Sequence, residues 1–217
     1  AKTHEERDNM RDRDKSRVRP YSFLKAASAL SGAYDDIVIP PDTTKVDWEV
    51  ELALAMGRSG KRIPAEKAMD YVAGYTIAND VSARDWVSSF FTSEGRYDIM
   101  ASWDRNLLGK QLPTFCPCGP VIVTKDEIAD PHNLQLTTTL NGEVMQSSST
   151  DDLIFNIPQM ISYYSKFYRF SPGDIVTTGS PSGVGAGRKP PVFMKPGDVI
   201  EIEIEGIGKI SNTIAAA

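Results

Sequence analysis

Apolar and polar residues alternate along residues 45–56 of the chain. The apolar positions are Val46, Trp48, Val50, Leu52, Leu54 and Met56. A period of two is typical of a β-strand, in which successive side chains point to opposite faces. Glu49 and Glu51 therefore leave the predicted strand on the same face, one pleat apart. Two carboxylates held so close repel each other, so they need either open water or a neutralising cation.

The same alternation recurs in residues 199–205, where it has a simpler explanation. Ile200, Ile202 and Ile204 face a predicted core, and three glutamates fall on the opposite face. Such a face of an antiparallel strand is more often solvated than metal-binding. The Glu49/Glu51 spacing alone therefore does not predict a metal site, and further ligands must support it.

The rest of the pattern predicts a β-rich chain with few helices. Its predicted strands and turns are residues 21–25, 37–39, 72–80, a hairpin around Asn141-Gly142, and Pro-Gly turns at 171–174 and 195–198. Amphipathic spacing predicts a helix over residues 157–167 and a smaller one over 64–71. Two helices are too few to connect many parallel strands. The pattern therefore favours an α+β fold with mixed sheets over a doubly wound α/β sheet.

Composition narrows the classes of function. The chain has 217 residues, is 41% hydrophobic and carries a net charge of −5. No run of about 18 apolar residues could span a bilayer, so no membrane partner is predicted. The basic residues near the N-terminus are interspersed with acidic ones, which favours a solvated lid or arm over a nucleic-acid-binding segment.

Cysteine and histidine are scarce. Cys116 and Cys118 match neither a zinc knuckle nor a secreted disulfide framework, so reduced thiols and a cytoplasmic location are predicted. No secretory signal is recognisable, although a preceding segment stays open because the first residue is Ala1. His4 and His132 are the only histidines, which disfavours zinc.

Asp80, at the end of the predicted strand 72–80, is a candidate third ligand. Three carboxylates without imidazole or thiolate suit a hard ion, Mg²⁺ or Mn²⁺ before Ca²⁺. Asp80 could equally cap a helix over residues 81–85. Lys110 could place an ammonium beside an anionic substrate or a developing enolate. The glycine-rich residues 177–185 suit a carboxylate but lack the dinucleotide pattern.

Four motifs occur in an order that resembles the fumarylacetoacetate hydrolase family. They are the Glu-x-Glu strand, residues 75–85 (YTIANDVSARD), Lys110 ahead of 114–120 (TFCPCGP), and 178–185 (TGSPSGVG) before a Pro-Gly-Asp strand. The resemblance covers nearly all of residues 21–214. It implies a mixed β-sandwich roll, an N-terminal lid or arm at residues 1–20, a catalytic domain at residues 21–217, and a homodimer.

The resemblance also implies the roles of individual residues. It assigns Mg²⁺ or Mn²⁺ to Glu49, Glu51 and Asp80, and it matches the family's active-site lysine to Lys110. Two further residues match substrate-binding positions, Ser180, where many relatives have threonine, and Arg84, which would form a carboxylate fork. Many relatives have glutamine three positions after that arginine, whereas this chain has Val87.

For the activity, the resemblance implies hydrolysis of a carbon–carbon bond in an acylpyruvate or related diketo acid through a metal-stabilised enolate. His4 would direct the water, but the lid position three residues later is Arg7, where the family often has glutamate. Without a base, the same site would serve as a 2-oxo acid decarboxylase or keto–enol isomerase, of the oxaloacetate or 2-hydroxyhepta-2,4-diene-1,7-dioate type. A binding protein without turnover is a third hypothesis, which intact carboxylates and Lys110 argue against.

Overall fold

The computed structural model describes residues 19–86 and 107–217. His4, Arg7, Val87 and most of the predicted N-terminal arm lie outside these ranges. The described residues form two five-stranded sheets and a two-stranded ribbon around one hydrophobic core. This mixed, β-rich arrangement confirms the predicted α+β class.

The first sheet carries the strands that position the candidate site. Its strands are β1 (Leu30–Ser31), β4 (Val50–Met56), β5 (Val72–Asn79), β7 (Cys116–Thr124) and β10 (Ile175–Thr177). Their order is β1-β7-β5-β4-β10, and the pairs are antiparallel except for β1 with β7.

The second sheet packs against the first across the core. Its strands are β2 (Ile37–Ile39), β8 (Gln135–Leu140), β9 (Glu143–Ser149), β11 (Val199–Ile204) and β12 (Gly208–Ala216), in the order β2-β12-β11-β8-β9. The separate ribbon pairs β3 (Val46–Asp47) with β6 (Ser82–Ala83). Among the described residues, no helix is long and apolar enough to cross a membrane.

The alternating run at residues 45–56 forms two strands instead of one. All six apolar positions are buried as predicted, but β3 ends at Asp47 and β4 begins at Val50. The break has a physical cause, because side chains take the backbone donors between the strands. Trp48 N–H donates to the Asp47 carboxylate at 2.9 Å, and Glu49 N–H donates to Asn79 Oδ1 at 3.0 Å. Glu49 therefore lies between two strands.

The predicted strand at residues 21–25 is wrong. These residues have no regular structure. Instead of a neighbouring strand, the Gln111 side chain holds them, accepting from Ala26 N–H at 2.6 Å and donating to Leu24 O at 3.0 Å. A single amide side chain satisfies the backbone on both sides of Lys25, so no strand partner is required.

The helix α1 (Ile157–Tyr164) begins as the sequence predicts and ends three residues earlier. A capping box between Asn156 and Gln159 closes its N-terminus. At its C-terminus, the buried Ser165 makes tertiary hydrogen bonds, accepting from Ile63 N–H at 2.9 Å and Arg62 N–H at 2.7 Å. The chain turns there and leaves Phe167 64% exposed. The smaller predicted helix is a 3₁₀ helix at Ala65–Tyr71.

The predicted turns are confirmed. Asn141 and Gly142, with φ values of 52° and 83°, connect β8 to β9. Gly173 and Gly197, with φ values of 92° and 91°, form the two Pro-Gly turns that lead into β10 and β11.

Candidate active site

Three carboxylates meet where β4 begins and β5 ends. β4 and β5 are antiparallel with Val50 opposite Asn79, so Glu49 precedes β4 beside the point where Asp80 follows β5. Asp80 N–H donates to Glu49 O at 2.9 Å and fixes this register. Carboxylate oxygens of Glu49, Glu51 and Asp80 lie within 4.8 Å of one another. The structure thus brings together the three residues that the sequence selects as metal ligands.

Lysine ammonium groups balance part of this negative charge. Lys110 Nζ donates to Glu49 Oε2 at 2.9 Å and to Asp80 Oδ2 at 2.5 Å. Lys25 Nζ contacts the other oxygen of Asp80. The predicted helix-capping role of Asp80 is therefore wrong, since its carboxylate binds two lysines and residues 82–83 form β6.

Arg84 contacts Glu49 directly and is itself held by a buried acid, Asp47. Its Nη2 donates to Glu49 Oε1 at 2.5 Å, and its Nε donates to Asp47 Oδ2 at 2.9 Å. Asp47 is fully buried and also accepts from Gly185 N–H at 2.6 Å and Ala186 N–H at 3.0 Å. Arg84 thus joins the carboxylate cluster to the glycine-rich segment. Its role as a fork for a substrate carboxylate stays a prediction.

The glycine-rich segment approaches the cluster closely. Thr178 donates its N–H and its hydroxyl to Leu52 O, and Gly179 N–H donates to Glu51 Oε2 at 2.7 Å. Ser180 is half-buried next to this contact, and its hydroxyl accepts from Gln146 Nε2 at 3.0 Å. The segment therefore adds a hydroxyl beside the carboxylates, although binding of substrate by Ser180 stays a prediction.

The two glutamates have opposite pKa shifts. Burial would raise the pKa of Glu49, but Lys110 and Arg84 outweigh it and lower that pKa to about 2. Burial raises the pKa of Glu51 to about 8, reinforced by the neighbouring charges of Asp80 and Glu49. Burial would lower the pKa of Lys110, but Glu49 and Asp80 raise it well above its usual range. Lys110 therefore stays an ammonium at neutral pH.

These features fit a hard divalent cation. All three donors are carboxylates, the ligand type that Mg²⁺ and Mn²⁺ prefer. Positive charge is also unevenly distributed among the described residues, since cations contact Glu49 and Asp80, whereas the hydrogen bond to the Glu51 carboxylate comes from a backbone N–H. A divalent ion would favour the ionised form of Glu51. Glu49, Glu51 and Asp80 would hold it.

Sequence reasoning missed four residues of this neighbourhood, Phe23, Lys25, Asp47 and Gln146. Asp47 could have been found, because it lies on the same face of the alternating run as Glu49 and Glu51. Lys25 and Gln146 carry no such signal, since they come from distant segments. Phe23 likewise lies over Lys110, with the ring centroid 5.4 Å from Nζ.

The two cysteines are free thiols in β7. Cys116 is buried, and burial raises its pKa to about 12, which keeps it protonated. Burial also raises the pKa of the half-buried Cys118. Both thiols are therefore poor nucleophiles, as expected of structural cysteines.

Comparisons with known proteins extend this picture. The family model for the fumarylacetoacetate (FAA) hydrolase C-terminal region matches residues 1–215. The human mitochondrial oxaloacetate tautomerase FAHD2B is 50% identical over 195 residues, which are 90% of this chain and 59% of that protein. This chain therefore spans less than two thirds of the length of that relative.

Two solved structures share the fold. A fumarylacetoacetate hydrolase from the psychrophile Exiguobacterium antarcticum superimposes with a TM-score of 0.84 at 37% identity, covering 96% of this chain and 70% of that one. A 5-carboxymethyl-2-hydroxymuconate delta-isomerase from Mycobacterium smegmatis gives a TM-score of 0.76 at 36% identity, covering 92% and 72%.

The relatives overturn the predicted cytoplasmic location. The human tautomerase and its bovine counterpart, which is 51% identical to this chain over 195 residues, are both mitochondrial proteins. The prediction was wrong because it relied on cysteine usage. Reduced, buried thiols indicate a reducing environment and do not distinguish the cytoplasm from the interior of an organelle.

Proposed function

The chain belongs to the fumarylacetoacetate hydrolase family, and from this premise we propose that it is a divalent-metal-dependent keto–enol isomerase of a 2-oxo dicarboxylic acid of the oxaloacetate type. The observation that carries the proposal is the contact of Lys110 with both Glu49 and Asp80 in a three-carboxylate cluster. The tautomerase and isomerase relatives support this reaction over hydrolysis.

The cluster supplies the first requirement of enolisation. Glu49, Glu51 and Asp80 would hold Mg²⁺ or Mn²⁺. When bound, the ion supplies Lewis-acid polarisation of the 2-oxo group, which makes the adjacent C–H more acidic. Arg84 donates to Glu49 Oε1 and Lys110 donates to Glu49 Oε2, and together they hold the Glu49 carboxylate in place for this role.

Lys110 supplies the second requirement, stabilisation of negative charge. Its contacts with Glu49 and Asp80 raise its pKa, which favours an ammonium over a free base at this position. Placed beside an enolate oxygen, such an ammonium favours the charge that develops during proton removal. Ser180 would donate a hydrogen bond to the substrate carboxylate or enolate oxygen.

Isomerisation makes fewer demands on the site than hydrolysis. A proton leaves the carbon next to the 2-oxo group for a water molecule, and another proton is delivered to the oxygen, so water relays the proton and is not consumed. Hydrolysis needs a water-activating base in addition. His132 is not that base, because its Nε2 accepts from Ile157 N–H at the start of α1, at 3.1 Å. His4 lies outside the described residues, so its role stays a prediction.

Hydrolysis of an acylpyruvate is the second candidate function. It is favoured by the close superposition on the fumarylacetoacetate hydrolase from Exiguobacterium antarcticum. Both reactions pass through an enolate of a 2-oxo acid, so the same carboxylates and Lys110 would serve either one. The products, not the site, distinguish the two.

The test is an assay of both reactions with one preparation. We expect the Mg²⁺- or Mn²⁺-loaded protein to accelerate loss of the enol absorbance of oxaloacetate without releasing pyruvate. Glu51→Ala should abolish this activity, whereas Glu203→Ala, on the exposed face of β11, should leave it intact. Release of pyruvate would indicate decarboxylation, and faster turnover of acylpyruvates would favour hydrolysis. Equal activity of both variants would contradict the metal site.

Location and assembly belong to the same proposal. The mitochondrial relatives support a mitochondrial location. We also infer a homodimer, which the family resemblance implies. Sedimentation of the purified chain tests this assembly, and a species of one chain's mass at micromolar concentration would contradict it.

A further inference from the structure

Gln146, on β9, makes an unusually complete set of hydrogen bonds. It is 1% exposed. Its Oε1 accepts from Val50 N–H at 3.2 Å and from the Thr138 hydroxyl at 3.0 Å. Its Nε2 donates to Ser180 Oγ and to Pro181 O, both at 3.0 Å. A primary amide offers two acceptor sites and two donors, so every position of this side chain is used.

The partners of Gln146 fix the orientation of its amide. Val50 N–H can only donate, and the Pro181 carbonyl can only accept. Exchanging the oxygen and nitrogen would break both hydrogen bonds and leave the N–H of the buried Val50 without this acceptor and the Pro181 carbonyl without this donor. Nε2 must therefore face Ser180.

This orientation sets the role of the Ser180 hydroxyl. Because Nε2 can only donate, Ser180 Oγ accepts from it, and the serine proton must point elsewhere. Among the described residues, its acceptor is Pro181 O at 3.5 Å, beyond the usual length of an O–H···O bond. The proton is therefore available to an oxygen that enters beside the half-buried Ser180.

We propose that Gln146 is a positioning residue that directs the Ser180 hydroxyl to donate to an oxygen of the bound 2-oxo acid. Through Val50 N–H, the same amide is anchored to the strand residue between Glu49 and Glu51. Gln146 thus sets the spacing between the Ser180 hydroxyl and the carboxylate cluster. The inference rests on the proposed function, because it assumes that a 2-oxo acid binds at this cluster.

The test is a double-mutant cycle on ligand binding, with oxalate as the probe. Oxalate is a planar dianion with adjacent oxygens and resembles the enolate of a 2-oxo acid. Its affinity for the Mn²⁺-loaded protein is measured for Gln146→Glu, Ser180→Ala and the double variant. A carboxylate at position 146 only accepts, so the serine proton turns toward it.

We expect each single variant to weaken oxalate binding about tenfold or more, the range for a hydrogen bond to a charged group. The double variant should be no more than about twofold weaker than either single variant, because both remove the same hydrogen bond. Ser180→Thr, which keeps the hydroxyl, should restore most of the affinity. Gln159→Glu is the matched control, since it makes the same charge change at an exposed residue of α1.

Gln146→Met removes the donor without adding an acceptor and takes the place of Gln146→Glu if that variant does not fold. We expect it to weaken oxalate binding and leave Mn²⁺ affinity within about threefold of wild type. If the two single losses of oxalate affinity multiply in the double variant, or if Mn²⁺ affinity falls as much as oxalate affinity, the role of Gln146 is contradicted. The proposed function would still stand. Failure of the wild-type protein to bind oxalate with Mn²⁺ would overturn the proposed function and this inference with it.

Discussion

At the scale of single residues, Glu49 and Glu51 show how position decides the chemistry of identical side chains. Lys110 and Arg84 contact both oxygens of Glu49 and lower its pKa, whereas Glu51 has the neighbouring carboxylates and one backbone N–H. At neutral pH, Glu49 is therefore ionised without a metal ion, whereas Glu51 is mostly protonated unless a cation binds.

This difference gives a pH prediction for the metal-stripped protein. The pKa of Glu51 rises from 4.5 to about 8 on folding, so its contribution to stability is present below pH 4.5 and lost as the pH rises through 8. The pKa of Glu49 shifts in the opposite direction, from 4.5 to about 2, so its contribution to stability is lost as the pH falls toward 2. We expect the melting temperature in chelator to fall between about pH 5 and pH 8, as scanning fluorimetry would measure.

Two variants distinguish the titration of Glu51 from the titration of the protein's other ionisable groups. Glu51→Gln carries no charge at any pH, so the fall should disappear in that variant. Glu203→Gln, at an exposed position, should keep it. Added Mn²⁺ should stabilise the wild-type protein more at pH 8 than at pH 6. A flat wild-type profile, or the same slope in Glu51→Gln, would argue against the assignment.

Arg84 leads to a second prediction at this scale. Arg84→Lys keeps the positive charge, but one ammonium cannot serve Asp47 and Glu49 in the positions of Nε and Nη2. Since Asp47 is fully buried, we expect a loss of about 1.5–3 kcal/mol of unfolding free energy in urea titrations. Arg188→Lys is the control, since this partly exposed arginine donates to a backbone carbonyl, Met145 O, and not to a buried acid, and it should stay within about 0.5 kcal/mol. Equal stability of the two variants would contradict the bridging role.

At the scale of secondary-structure elements, the sequence predicted the strands better than their interruptions. The alternation of apolar and polar residues correctly identified the six buried apolar residues of residues 45–56, the run that contains β4. It could not show that β4 starts at Val50, because the break depends on Asn79, which lies thirty residues away. The strand predicted at residues 21–25 is wrong for the same reason, since the distant Gln111 amide replaces a strand partner.

The docking of the glycine-rich segment on β9 gives a prediction for this scale. Gly142 and Gly183 both have positive φ, at 83° and 102°, but a Cβ at Gly183 would lie 2.4 Å from Met145 O, whereas one at Gly142 meets nothing within 4 Å. Gly142→Ala should therefore cost about 1–2 kcal/mol of stability, from backbone strain alone. Gly183→Ala should cost clearly more in urea titrations and raise KM. Equal costs would mean that the segment does not press on β9.

At the scale of the whole molecule, the sequence predicted which residues lie together at the candidate site but not how their charges are shared. Motif order selected Glu49, Glu51, Asp80, Lys110 and Ser180, and the structure brings them into one neighbourhood. Lys25, Asp47 and Gln146 became visible only in three dimensions, since each acts through contacts with residues far along the chain.

A Mn²⁺ titration of the chelator-stripped protein by calorimetry tests most directly whether Glu49, Glu51 and Asp80 bind a metal ion. We expect one site per chain, with affinity reduced about a hundredfold or more in Glu51→Gln and Asp80→Asn and unchanged in Glu203→Gln. Equal Mn²⁺ binding by Glu51→Gln and Glu203→Gln, or no binding by the wild-type protein, would contradict it.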